Sequence, residues 1–136
     1  MVSEHFSIRE LACHHCGRSG VRDELVRALE AFRAEVSKER GADTAVIVDD
    51  AYRCPIHNRA VGGVQNSQHL LGLAADVKVS GMTARELYKI ALRVPEIKGL
   101  GVDDHHNYLH IDVRATHAVV SWCYDLAGKQ TKFYEA

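Results

Sequence analysis

The chain has 136 residues, of which 46% are hydrophobic and 26% charged, the balance of one globular domain. A domain of this size buries roughly 70% of the surface its unfolded chain exposes. Seventeen Lys and Arg against eighteen Asp and Glu leave a net charge of −1, without the basic excess of a nucleic-acid binder. No apolar run approaches the ~18–20 residues that span a bilayer, so neither nucleic acid nor membrane is an expected partner.

With no repeat, low-complexity run or linker, residues 1–136 read as a single domain. Between Asp23 and Glu39 the residues Leu25, Val26, Leu29, Phe32 and Val36 fall at helical spacing, with Asp23 and Glu24 suited to the start and Gly41 to the exit. Ala45 to Val48 is a short apolar, partly β-branched run and predicts a buried strand. Tyr52 to Ser67, which holds Pro55, Gly62 and Gly63, reads as a loop. Leu73 to Val79 alternates, setting Ala75, Val77 and Val79 on one face and Ala74, Asp76 and Lys78 on the other. Thr83-Ala-Arg-Glu86 has the form of a capping box, which predicts a helix to about Val94, ahead of Pro95.

From Tyr108 to Arg114, Leu109, Ile111 and Val113 alternate with Tyr108, His110, Asp112 and Arg114. Val119 to Tyr124 and Thr131 to Tyr134 would close a hairpin around Gly128. Helices and strands do not strictly alternate, so the expected class is α+β, an antiparallel sheet with flanking helices.

Nine histidines are unevenly spread, and the densest signal is Ser67-Gln-His-Leu-Leu-Gly-Leu-Ala-Ala-Asp76, followed 34 residues later by His110-Ile-Asp112. A hydrolytic zinc site needs three protein ligands and an open position for water, and His69, Asp76 and His110 would supply two imidazoles and a carboxylate. Asp76 and His110 project from the polar faces of predicted strands, and Gly72 allows a tight turn between His69 and Asp76.

Ser67-x-His69-x-x-Gly72-x-Ala74-x-Asp76 together with His110-x-Asp112 resembles the zinc D-alanyl-D-alanine carboxypeptidase family of cell-wall peptidases. Tyr52-Arg53-Cys-Pro55-Ile-His-Asn58-Arg-Ala-Val61-Gly62-Gly63 is similar to that family's arginine-bearing loop, and the likeness runs from about Phe6 to Arg114. The resemblance implies the Hedgehog/DD-peptidase fold, Zn2+ held by His69, Asp76 and His110, and peptidoglycan stem peptides as substrate. It makes Arg53 the residue that holds or polarises substrate, while Ser67 orients the loop or donates to substrate.

Members of the family place a Glu or Asp three residues before the last ligand, where this chain has Asn107, which cannot accept a proton from water. Asp104, His105 and Asp112 are the alternatives, and an Asp near the metal, Asp104 or Asp112, is the expected base; Asp112 could instead orient a ligand imidazole. D-Ala-D-Ala carboxypeptidase, D,D-endopeptidase and L-Ala-D-Glu endopeptidase activities are all compatible with the motif. The competing expectation, motivated by Asn107, is a zinc-stabilised structural or wall-binding module of the same fold without hydrolysis.

The start, Met1-Val-Ser-Glu-His-Phe6, lacks a basic n-region and an apolar h-region. The expectation is synthesis in the cytoplasm and a phage-type lysin or tail-associated hydrolase, delivered to the wall by a holin or an injection device. Cys13-His-His-Cys16 invites a second zinc site, but two further ligands would be needed, and Cys54 and Cys123 have no place that sequence can assign. A disulfide or a pair of reduced, half-buried thiols is the expectation there.

Overall fold

A computed structural model describes residues 2–63 and 67–135. Four helices and six strands occur among the described residues: α1 (Ile8–Leu11), α2 (Asp23–Arg40), β1 (Ile47–Asp50), α3 (Pro55–Ala60), β2 (Ala74–Lys78), α4 (Ala84–Ala91), β3 (Gly99–Asp103), β4 (Tyr108–Asp112), β5 (Val120–Tyr124) and β6 (Gln130–Lys132). The strands form one sheet in the order β1-β2-β4-β3-β5-β6. Every pairing is antiparallel except β3 with β5, which is parallel. The α+β class expected from sequence is what the chain adopts.

The two long helices follow from the signals read above. α2 buries Leu25, Val26, Leu29, Phe32 and Val36 along one stripe and ends at Gly41, whose φ of 70° is a left-handed conformation that costs glycine little. α4 opens on a reciprocal capping box between Thr83 and Glu86 and stops at Ala91, three residues short of the expected end. Both helices join the apolar side of the sheet, Ala75, Val77, Leu100, Val102, Leu109 and Ile111, in one core.

Five elements depart from expectation. Helix α1 was not expected, and β6 runs Gln130–Lys132 rather than Thr131–Tyr134. The loop from Tyr52 contains α3, six residues long, with Pro55 in its first turn and the Cys54 sulfur accepting the His57 N–H at 3.4 Å. The first strand runs Ile47–Asp50 rather than Ala45–Val48, and its register slips between Val48 and Asp50. Strand β3 was not expected at all. Gly99-Leu-Gly-Val-Asp103 alternates, but glycine occupies two of the three outer-face positions, and only Asp103 at the end carries a polar side chain there.

Those glycines shape the outer face. The register aligns Asp50, Asp76, His110, Gly101, Trp122 and Lys132 in one row across all six strands. The neighbouring row holds Ala74, Asp112, Gly99 and Val120. A Cβ at Gly99 would lie 2.2 Å from both Asp112 carboxylate oxygens, and one at Gly101 2.5 Å from the Trp122 indole nitrogen. The bare β3 backbone therefore gives Asp112 and Trp122 room to lie flat on the sheet beside His110.

Candidate metal centre

Asp76 and His110 are direct cross-strand partners on β2 and β4, the relation that brings side chains on one face closest together. His69 arrives from the turn before β2. The Ser67 hydroxyl accepts the His69 N–H at 3.1 Å, and the His69 carbonyl accepts the N–H of Arg53 at 3.2 Å and that of Gly72 at 3.2 Å. Gly72 has a φ of 73°, and a Cβ there would lie 1.9 Å from the Gly20 carbonyl oxygen, so the turn tolerates no larger residue.

The three side chains are buried and offer ligand atoms that all lie within 4.8 Å of one another. His69 Nε2 is 3.3 Å and His110 Nδ1 3.1 Å from the same oxygen, Asp76 Oδ1. Which nitrogen is free to bind a metal follows from the partner of the other. His69 Nδ1 lies 2.6 Å from the Ala51 carbonyl oxygen, which can only accept, so the ring hydrogen sits on Nδ1 and the Nε2 lone pair faces inward. His110 Nε2 lies 2.7 Å from Asp112 Oδ2, which fixes a hydrogen on Nε2 and turns Nδ1 inward. Two imidazole lone pairs and one carboxylate oxygen thus converge, and this donor set fits zinc.

The charge balance of the metal-free cluster points the same way. Burial disfavours a charge on His110, yet its hydrogen bonds to Asp112 and Asp76 outweigh burial and raise its pKa to about 9. Burial would push the Asp76 carboxyl up, but the adjacent His69 and His110 hold it well below the usual carboxylate range. Asp112, also opposed by burial, is held low by Arg114 and His110. The site is thus built around a positive charge, and without metal His110 binds a proton there.

The cluster forms part of the wall of a cleft of about 610 Å3 that Arg53, Ser67, Tyr108, Arg114, Trp122, Tyr124 and Lys129 also line. Arg53 is anchored from below: Nε donates to Asp50 Oδ2 at 2.6 Å, Nη1 to Asn58 Oδ1 at 3.1 Å and Nη2 to Asp76 Oδ2 at 3.5 Å. Arg114 donates to Asp112 through Nε and Nη2, both at 2.8 Å, and its guanidinium lies 4.9 Å from the centre of the Trp122 ring. Burial, reinforced by the Asp76 charge, pushes the Tyr108 and Tyr124 hydroxyls upward, so both stay protonated as donors.

The two carboxylates expected to act as base lie elsewhere. Asp104 sits past the end of β3, where Arg85 holds it through Nε at 3.0 Å and Nη2 at 2.8 Å and the Tyr134 hydroxyl donates to it at 3.1 Å; it does not line the cleft. Asp112 has 0% exposure, its oxygens are occupied by His110 and Arg114, and it does not line the cleft. Asn107 is a turn residue. It takes a φ of 53°, and its Oδ1 accepts the N–H of Ala84 at 2.8 Å at the start of α4. It stands at an odd offset from His110, whereas the side chains that share the metal face of β4 are those of Tyr108, His110 and Asp112.

Asp50, Trp122, Tyr124 and Lys129 belong to this site or its support but were not singled out from sequence. Asp50 gives no local signal, because only the irregular register of β1 brings it opposite Asp76. Tyr108 and Arg114 were legible as sharing the His110 face.

A family model described as Peptidase M15 matches residues 4–112, most of the chain and all three residues of the cluster. The chain belongs to the peptidase M15 family. No curated protein matches it. M15 membership points to a zinc metallopeptidase, and the donor set His69, Asp76 and His110 agrees with that. The M15 match ends at Asp112, so Arg114, Trp122, Tyr124 and Lys129 of the cleft lie outside the matched segment.

Proposed function

We propose that the protein is a zinc-dependent peptidase that hydrolyses peptidoglycan stem peptides, as a D,D-carboxypeptidase or an endopeptidase, with His69, Asp76 and His110 as the metal ligands. The observation that carries this reading is the convergence of His69 Nε2 and His110 Nδ1 on Asp76 Oδ1 at the wall of a cleft that also holds an anchored arginine. Bound zinc would supply Lewis acidity and lower the pKa of its water to about 7.

The protein's own groups divide the remaining work. Arg53, fixed by Asp50 and Asn58, donates from its guanidinium to a substrate carboxylate or to the oxyanion that develops on the scissile carbonyl. Arg114 and Lys129 add positive charge along the cleft, which suits the carboxylates of a stem peptide. The protonated Tyr108 and Tyr124 hydroxyls donate to peptide carbonyls, and the Trp122 ring supplies an apolar surface. Ser67 holds the His69 turn. We place the action at the cell wall, with delivery by a phage-type route.

Asp76 is the one carboxylate among the described residues lining the cleft. Its Oδ2 already accepts from Arg53 Nη2 at 3.5 Å, and the neighbouring histidines hold it well below the usual carboxylate range, so its place is that of a ligand and not of a base. The same observation favours a second reading, a zinc-holding wall-binding module without hydrolysis. Mass spectrometry of muropeptides incubated with zinc-loaded and chelated protein separates the two. A zinc-dependent product, absent with His69→Ala, establishes the peptidase, and its mass identifies the bond. Intact muropeptides of several stem types, despite bound zinc, select the binding module.

A further inference from the structure

A second cluster of ligating atoms lies outside the cleft. The Sγ atoms of Cys13, Cys16 and Cys54 are within 4.8 Å of one another, and the structure contains no disulfide among the described residues. Cys13 and Cys16 belong to one tight loop, closed by Gly17 N–H to the Cys13 carbonyl at 2.8 Å and by Cys13 N–H to the Arg18 carbonyl at 2.9 Å. Gly17 takes a φ of 73°, with no atom within 4 Å of where its Cβ would be. Backbone conformation, and not crowding, is what asks for glycine there. The loop turns both sulfurs to one side.

Cys54 meets them from far along the chain. Its backbone N–H donates to Cys13 Sγ at 3.3 Å across a separation of 41 residues, and its own sulfur accepts the His57 N–H. N–H donors to sulfur stabilise thiolates, the form that binds metal. His15 Nδ1 lies 3.6 Å from Cys54 Sγ, whereas His14 is engaged elsewhere, with Nε2 2.7 Å from the Asp49 carbonyl oxygen.

We propose that Cys13, Cys16 and Cys54 form a structural zinc site that ties the N-terminal loop to the start of α3, with His15, whose ring touches Cys54 alone of the three, turning in as the fourth ligand. Three thiolates and an imidazole make a closed tetrahedral set with no position left for water, the pattern of zinc that stabilises a fold. Tight-loop spacing for one ligand pair and a distant residue for the third matches the way such sites join segments. Cys123 takes no part; it is buried near Arg85, with Arg85 Nη2 3.5 Å from its sulfur.

The test measures metal content and cobalt spectra of the whole chain, purified under reducing conditions, and is independent of peptidase activity. Two zinc equivalents per chain are expected, falling to one in His69→Ala/His110→Ala and to one in Cys16→Ser. Cys16 is exposed, so its replacement leaves the core intact. Cobalt added to the metal-free His69→Ala/His110→Ala protein should give an intense thiolate-to-cobalt charge-transfer band, lost with the further change Cys16→Ser. A single zinc in the native chain that disappears entirely in His69→Ala/His110→Ala, with no charge-transfer band on cobalt addition, would overturn the proposal. So would unchanged metal content and spectrum in Cys16→Ser. Retention of the band in His15→Ala with unchanged metal affinity would remove His15 from the ligand set.

Discussion

Asp112→Asn tests the reasoning about His110 most directly. In the native site Asp112 Oδ1 accepts from Arg114 N and Nε at 3.2 and 2.8 Å, and Oδ2 from His110 Nε2 and Arg114 Nη2 at 2.7 and 2.8 Å. An amide at this position has one acceptor and one donor end. With its NH2 toward Arg114 N and Nε, two fixed donors would face a donor. With its NH2 toward His110, the imidazole can adapt by becoming the acceptor at Nε2. Its proton then moves to Nδ1, the nitrogen needed for metal.

The expected loss of zinc affinity is about 10- to 100-fold, or ~1.4–2.8 kcal/mol, with a stability loss of ~1–3 kcal/mol for the imperfectly matched buried polar groups. Zinc affinity is read by competition with a chromophoric chelator and the tautomer by imidazole nitrogen shifts. Unchanged zinc affinity with hydrolysis abolished would refute the argument, because Asp112 would then act on a proton in the reaction and not on the His110 tautomer.

Three further outcomes follow from the same geometry. Asp104→Asn should leave muropeptide hydrolysis within about twofold of native and cost ~1 kcal/mol or less in urea denaturation, since its pair with Arg85 is partly exposed; a large drop in kcat would return Asp104 to the chemistry. Gly72→Ala combines a left-handed φ with a 1.9 Å approach to the Gly20 carbonyl, so a stability loss of several kcal/mol and weakened zinc binding are expected; native-like thermal unfolding would show the turn to be more permissive. In chelated protein the His110 ring should titrate near pH 9 by NMR, against 6.5 for an ordinary histidine. Its pKa is raised on folding, so the stability it contributes is fully present below 6.5 and is lost as pH rises through about 9. A midpoint at or below 6.5 would mean that the flanking carboxylates do not outweigh burial.

Local pattern determined a large part of this protein. Strand alternation placed Asp76 and His110 on polar faces, because a period of two leaves little freedom once Val77 and Leu109 must face the core. The capping box of α4 and the stripe of α2 were equally legible, since backbone N–H groups and apolar surface are satisfied locally at those spacings. Other features were decided by contacts between distant segments. Gly99 and Gly101 carry no side chain to reveal β3, and only pairing with β4 and β5 shows the space they leave for Asp112 and Trp122.

Asp104 and Asp112 were indistinguishable as candidate bases until the fold gave one to Arg85 and the other to His110 and Arg114. Cys54 acquires its neighbours only when α3 packs against the N-terminal loop. Sequence sets which way a side chain points from its own strand. Which groups satisfy its charge is fixed by segments far along the chain, and in this site that pairing decides which carboxylates stay in the cleft.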